Sequence, residues 1–223
     1  MNQNAETSVD RAKGANESKR FASVTGLFEQ VRIYIAIVVI LVVLSIYLSI
    51  TQPTFATWAN FVTILESNSV LLLVAIGLTF VLLTAGFDLS VGAMLALSGV
   101  LMGKLIQGGM PFPIAIVLVI VGAGILGMVL NGMLIGKLGL SFFVVTLGTM
   151  SLFRGSSLVV TEGHGVSLYE FEAVRALGAG RLLGIPVLVI IALGVLILAI
   201  LVTRYTGFGR MLYAVGGGPE AAR

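Results

Sequence analysis

The sequence has no cysteine, a single histidine and few charged residues. Cysteine is absent, His164 is the one histidine, and only 10% of the residues are charged. Disulfides, thiolate metal sites and cysteine nucleophiles are therefore excluded, and a histidine-based metal cluster nearly so. A soluble domain carries about 25% charged residues, so an ordinary soluble domain is also excluded. We predict no metal site and no cofactor.

The chain is instead rich in apolar residues, which come in long blocks. It is 58% hydrophobic, with a mean hydropathy of +1.11. The blocks run for roughly 17 to 22 residues, which is the length of a helix that spans a bilayer core of about 30 Å. They are solidly apolar, whereas the strands of a membrane barrel alternate between apolar and polar residues. The pattern predicts an all-α, polytopic transmembrane helical bundle.

The order of apolar and basic segments predicts a topology. Residues 1–32 form a polar tail that carries Arg11, Lys13, Lys19 and Arg20. By the positive-inside rule this tail is cytoplasmic, which also explains the basic net charge without a nucleic-acid partner. A transmembrane domain covers residues 33–203, and residues 204–223 form a further cytoplasmic loop. We predict about six spans, at residues 33–50, 64–84, 89–105, 114–135, 142–160 and 185–202.

Residues 84–92 interrupt the apolar pattern between the second and third spans. The segment contains Gly86, Asp88, Ser90 and Gly92. Lipid cannot hydrogen-bond to a broken backbone, so the break must lie at the interface, against protein or beside water. An ionisable residue at such a place is by default a hypothesis about function. Asp88 is either a polar hinge at the inner end of the second span or the N-cap of the third.

The second span begins with polar residues. Glu66 and Asn68 lie among them, and the fully apolar part begins only at Val70. This pattern predicts a short, broken or re-entrant span.

The fifth span carries hydroxyl groups and one charge. Thr146, Thr149 and Phe153 fall on one helical face, and Arg154 lies about 18 Å along the helix from its start. A charge at that depth must snorkel, pair or line water, and we expect Glu66 as a possible partner.

Three separated segments resemble one family. Residues 86–92, Gly-Phe-Asp-Leu-Ser-Val-Gly, resemble the Gly-Ile-Asp-Leu-Ser-Val-Gly signature of sugar ABC-importer permeases of the ribose and xylose type. These permeases belong to the branched-chain amino acid permease-like superfamily. Residues 146–150 with residues 154–155 resemble the family's fifth-span motif. Residues 207–216 with residues 220–223 resemble its cytoplasmic coupling loop.

The resemblance implies a permease subunit that forms the translocation path of an ATP-driven monosaccharide importer in the bacterial inner membrane. It implies cytoplasmic ATP-binding subunits, a periplasmic sugar-binding protein and a second permease copy as partners, all in or beside the lipid bilayer. The sequence itself has no phosphate loop, so we predict a non-enzyme whose partner hydrolyses ATP. The residues implied in coupling to that partner are Gly216, Gly217, Gly218, Pro219, Glu220, Ala221, Ala222 and Arg223.

Candidates for the translocation path follow from polarity and placement, and they are Asn68, Thr146, Thr149 and Arg154. Two alternatives stay open. An ion-coupled secondary transporter would show paired halves with broken helices in matching positions, and one interrupted span is visible here. Family members continue beyond the coupling helix with further spans, so we also expect a C-terminally truncated chain, and an inactive partial permease is the second alternative.

Overall fold

The computed structural model describes Arg32 and residues 34–218. The chain divides into two compact units, Met1–Phe61 and Val62–Arg223. Nearly all of the predicted polar tail and the coupling residues Pro219, Glu220, Ala221, Ala222 and Arg223 lie outside the described residues.

Helices dominate the described residues, which confirms the predicted all-α fold. In chain order they are α1 (Tyr34–Thr51), α2 (Trp58–Leu83), α3 (Val91–Gln107), α4 (Phe112–Leu126), a π-helical segment (Gly127–Met133), α5 (Leu134–Gly136), α6 (Phe142–Thr161), α7 (Glu172–Ala179), α8 (Val187–Tyr205) and α9 (Gly207–Gly217). Between α7 and α8 the short strands β1 (Arg181–Leu182) and β2 (Ile185–Pro186) pair antiparallel, with Leu182 opposite Ile185.

Five of these helical stretches are long and apolar enough to cross a membrane. They are Tyr34–Thr51, Trp58–Leu83, Phe112–Gly136, Phe142–Thr161 and Val187–Tyr205. The remaining predicted span, residues 89–105, corresponds to α3, an apolar helix of 17 residues. At 1.5 Å per residue α3 is about 26 Å long, slightly less than the hydrocarbon thickness. The orientation of the bundle stays a prediction.

The prediction of a short, broken or re-entrant second span is wrong, because α2 is one continuous helix of 26 residues. Its polar side chains bond to their own backbone. The Asn68 amide donates to the Ile64 carbonyl and the Ser69 hydroxyl donates to the Leu65 carbonyl, both at 2.7 Å. Side chains that bond to the carbonyl one turn earlier fit within a helix without breaking it, which the apolar pattern alone does not reveal.

Packing in the second unit centres on α3, which contacts both α4 and α6. The buried residues of α3 and α6 include Leu97, Ile106, Val145 and Phe153. Most other large apolar side chains of the spans are exposed, as expected where lipid covers the surface. This arrangement holds the start of α3 beside α6 and the π-helical segment.

Candidate functional site

The turn that follows α2 is closed by two backbone hydrogen bonds. The Gly86 N–H donates to the Val81 carbonyl at 3.2 Å, and the Ala85 N–H donates to the Leu82 carbonyl at 2.9 Å. This pair of bonds forms a Schellman motif, whose left-handed position usually holds glycine. Here Ala85 occupies it, with φ at 56°. The turn carries a small local strain and directs the chain towards Asp88.

Asp88 holds the start of α3 through Ser90. Its Oδ1 accepts from the Ser90 N–H at 2.7 Å and from the Ser90 hydroxyl at 2.6 Å. Ser90 itself is the N-cap residue, and its carbonyl accepts the first helical bond from Met94. The hypothesis that Asp88 is the N-cap is therefore corrected, because Asp88 lies two residues too early and forms an aspartate turn onto the cap residue.

Asn131 joins this turn from the π-helical segment. Its Nδ2 donates to Ser90 Oγ at 3.0 Å and to Asp88 Oδ2 at 3.3 Å. Because Asp88 offers acceptors only, the amide N–H groups must face it, and this fixes the orientation of the Asn131 side chain. Sequence analysis missed Asn131, although a lone amide in an apolar span was an available signal. Single π turns inside helices frequently occur at functional sites.

Together Asp88, Ser90 and Asn131 form what we name the polar clamp, and a cavity of about 490 Å³ lies beside it. The turn after α2, the π-helical segment with α5, and α6 all contribute to its wall. Asn131 and Thr146 both line this cavity, and their buried atoms Asn131 Oδ1 and Thr146 Oγ1 have no hydrogen-bond partner within the described part of the chain.

The predicted path residues do not share one cavity. Thr146 lies in the wall beside the polar clamp, whereas Thr149 is buried and its hydroxyl donates to the carbonyls of Val145 and Thr146. Asn68 lies in the wall of a separate cavity of about 430 Å³, formed by α2 and α8. The predicted signature residue Gly92 lies exposed in the first turn of α3.

The proposed pair between Glu66 and Arg154 is wrong. Glu66 Oε1 instead lies 3.8 Å from Arg181 Nη2, at the start of β1. Arg154 is exposed and makes no ion pair with any described residue. The strand pair that brings Arg181 to α2 has no signal in the apolar pattern. The sequence therefore did not reveal Arg181 as the partner of Glu66.

The helix α9 follows α8 almost directly and meets the end of α2. The Thr206 hydroxyl caps α9 by accepting from the Gly209 N–H at 3.2 Å. The Phe208 ring stacks on Phe80 of α2, with centroids 6.4 Å apart. At the other end of α9, a Cβ on Gly216 would fall on the Leu83 carbonyl oxygen, so only glycine permits this approach. Of the predicted coupling residues, Gly216 thus contacts the helix that leads into the polar clamp.

The apolar helices and the partly buried polar clamp define a polytopic membrane protein with a polar site near the ends of its spans. Residues 60–223 match the family described as the permease component of the branched-chain amino acid transport system. The chain belongs to this family, and it is a multi-pass protein of the bacterial inner membrane.

Several curated proteins are similar to the chain over most of its length. The D-allose transport system permease protein AlsC of Escherichia coli is 37% identical over 82% of this chain and 56% of its own length. The ribose import permease protein RbsC of Bacillus subtilis is 40% identical, with the same two shares. The fructose import permease protein FruF of Bifidobacterium longum is 32% identical over 96% of this chain and 61% of its own length. The chain thus spans about three fifths of these relatives. No solved structure matched it.

Proposed function

We propose that the chain is a permease subunit that contributes to the translocation path of an ATP-driven monosaccharide importer. The observation that carries this proposal is the similarity of 82–96% of the chain to permeases named for allose, ribose and fructose. Each of these permeases is named for a monosaccharide, so monosaccharides are the proposed substrate class. The path is proposed to include Asn68, Thr146, Thr149 and Arg154.

The proposed energy source is a separate cytoplasmic ATP-binding subunit, so the chain itself is not an enzyme. A periplasmic sugar-binding protein would deliver the substrate, and a second permease copy would complete the path. No cofactor is part of the proposal.

The proposed docking segment for the ATP-binding subunit, which we name the handle, is α9 together with residues 218–223, and it includes the predicted coupling residues 216–223. Support comes from the two contacts of α9 with α2, through Phe208 and through Gly216. A displacement of α9 would push on Leu83, and the turn that carries Asp88 begins directly after that residue. Packed elements transmit such shifts because their interiors are dense and resist compression. The polar clamp would therefore move with the handle.

Copurification tests the proposed partner. The tagged 223-residue chain, expressed in its native host membrane and extracted in mild detergent, is expected to retain a subunit that hydrolyses ATP. A longer version that includes the additional length of the relatives serves as the positive control. If neither chain retains such a subunit, the ABC assignment fails, and uptake driven by a proton or sodium gradient is the function to test.

A further inference from the structure

Two residues that line the cavity beside the polar clamp, Asn131 and Thr146, each have a polar atom that is buried without a partner among the described residues. Nearly all buried polar groups in folded proteins are hydrogen-bonded, and each exception calls for an explanation. Thr146 is only 1% exposed, so bulk water does not satisfy its hydroxyl. Thr149, one turn further along α6, shows that a threonine here can satisfy its hydroxyl on its own helix. Thr146 has no such bond.

The orientation of Asn131 specifies what could satisfy these atoms. Asp88 and Ser90 take the amide N–H groups, so Oδ1 is left as an acceptor without a donor. Thr146 Oγ1 is able both to donate and to accept. A matching ligand must therefore donate to Asn131, and it gains a second bond by donating to or accepting from Thr146. A ligand that carries at least two hydroxyl groups offers this combination.

The rest of the cavity suits a small solute that has both polar and apolar surface. Val81, Ile135 and Phe142 provide apolar wall, and the volume of about 490 Å³ falls in the usual range for small-molecule sites. The C–H faces of a sugar ring would lie against this wall while its hydroxyl groups reach the two polar atoms. The cavity that contains Asn68 lacks this arrangement, because none of its described wall residues holds a buried side-chain atom without a hydrogen-bond partner.

We propose that this cavity is a binding site for a monosaccharide-sized polyol, recognised through Asn131 Oδ1 and Thr146 Oγ1. Asp88 and Ser90 are positioning residues that hold the Asn131 amide in the orientation the ligand requires. The proposal rests on the proposed function, and it names the place in the chain where the sugar is bound.

Because the chain has no cysteine, a single introduced cysteine can test the proposed binding site directly. A single cysteine is introduced as Ile135→Cys in the cavity wall, and its reaction rate with a small methanethiosulfonate reagent is measured in lipid nanodiscs. D-ribose, D-galactose and D-allose at millimolar concentration are expected to slow labelling several-fold. Leu196→Cys is the control, because Leu196 lines a different cavity formed by α2, α8 and α9, and its labelling should not respond.

Substitutions at Thr146 separate recognition from space filling. Thr146→Val keeps the shape and removes the hydroxyl, so the sugar concentration for half-protection should rise by roughly tenfold, the value of one hydrogen bond. Thr146→Ser should restore protection. Without sugar, Thr146→Val should raise the melting temperature, because it removes an unpaired buried hydroxyl. A purely structural threonine would lower it on substitution.

Three outcomes would reject the proposed site. In the first, none of the sugars slows labelling of the cysteine at 135. In the second, tetrahydropyran, which has no hydroxyl group, slows labelling as much as the sugars do, and in the third the sugars protect Thr146→Val as well as they protect the parent. A cysteine at 135 that reacts only after denaturation would show that lipid or polypeptide fills the cavity, and this also rejects the proposal. Copurification of the ATP-hydrolysing subunit is measured separately, so failure of the site and failure of the proposed function are distinguishable.

Discussion

Asp88 is the acceptor on which the turn between α2 and α3 depends. Its carboxylate accepts from the Ser90 backbone, the Ser90 hydroxyl and the Asn131 amide. A backbone cap would need only one of these bonds. The carboxylate instead joins two segments that are far apart in the sequence, and it uses both of its oxygens to do so.

We expect Asp88→Ala to destabilise the protein by roughly 2–3 kcal/mol, because it leaves buried donors unpaired. Asp88→Asn should fall between Asp88→Ala and the parent chain. It keeps an acceptor for Ser90 but places an amide N–H group against that of Asn131. Helix content during heating in detergent, followed by circular dichroism, measures the effect.

Ser151→Ala is the matched control for this experiment. The Ser151 side chain is exposed and bonds only to the Leu147 carbonyl of its own helix. Its removal should change stability by less than about 0.5 kcal/mol. Equal losses for Asp88→Ala and Ser151→Ala would show that the polar clamp contributes nothing beyond a local bond.

At the scale of elements, α9 contains two adjacent glycines that differ in their surroundings. Replacing a helical glycine by alanine favours the helix by about 1 kcal/mol, less near a helix end. Among the described residues, no atom outside the local helix backbone lies within 4 Å of the position that a Gly217 Cβ would take, whereas a Cβ on Gly216 would meet the Leu83 carbonyl. We expect Gly217→Ala to be neutral or stabilising. Gly216→Ala should lower the melting temperature, because the methyl group pushes α9 away from α2.

The same pair of variants tests coupling. Gly216→Ala should reduce copurification of the ATP-hydrolysing subunit, or uncouple hydrolysis from uptake in a longer version, while Gly217→Ala retains both. Identical behaviour of the two variants would contradict a mechanical role for the contact between α9 and α2.

The elements themselves were largely predictable from the sequence, and the side-chain partners were not. Apolar block length is a local property, so the predicted spans overlap α1, α2, α3, α6 and α8, although α2 begins at Trp58, six residues before the predicted start. To predict the polar clamp, one would have to know of a contact between residues about 40 positions apart in the sequence. Asn131 was missed for this reason, whereas Asp88 and Ser90 were found because they lie together in the sequence. Glu66 was given the wrong partner because β1 and β2 are too short to leave a periodic signal.

For the whole molecule, the predicted topology makes a claim about sidedness. Leu138 lies between α5 and α6, and His164 lies between α6 and α7, so the two are separated by one apolar helix of 20 residues. Both side chains are exposed. If α6 crosses the membrane and the tail is cytoplasmic, Leu138 faces the cytoplasm and His164 the outside.

Single-cysteine variants of the cysteine-free chain measure this sidedness. A membrane-impermeant maleimide should label His164→Cys in intact spheroplasts, and it should label Leu138→Cys only after permeabilisation. Labelling of both from outside would mean that α6 does not cross the membrane. The reverse pattern would mean that the tail lies outside, and α9 could then not meet a cytoplasmic partner.

The π-helical segment Gly127–Met133 also bears on how the chain tolerates a change in length. A π turn holds more residues than an α turn, so loss of one residue there is absorbed by tighter winding, and α5 keeps its direction. The same loss within α4 would rotate every following residue by about 100° around the helix axis. Loss of one residue within Gly127–Met133 is thus expected to spare the direction of α5 and of the spans that follow it, whereas the same loss within α4 is not.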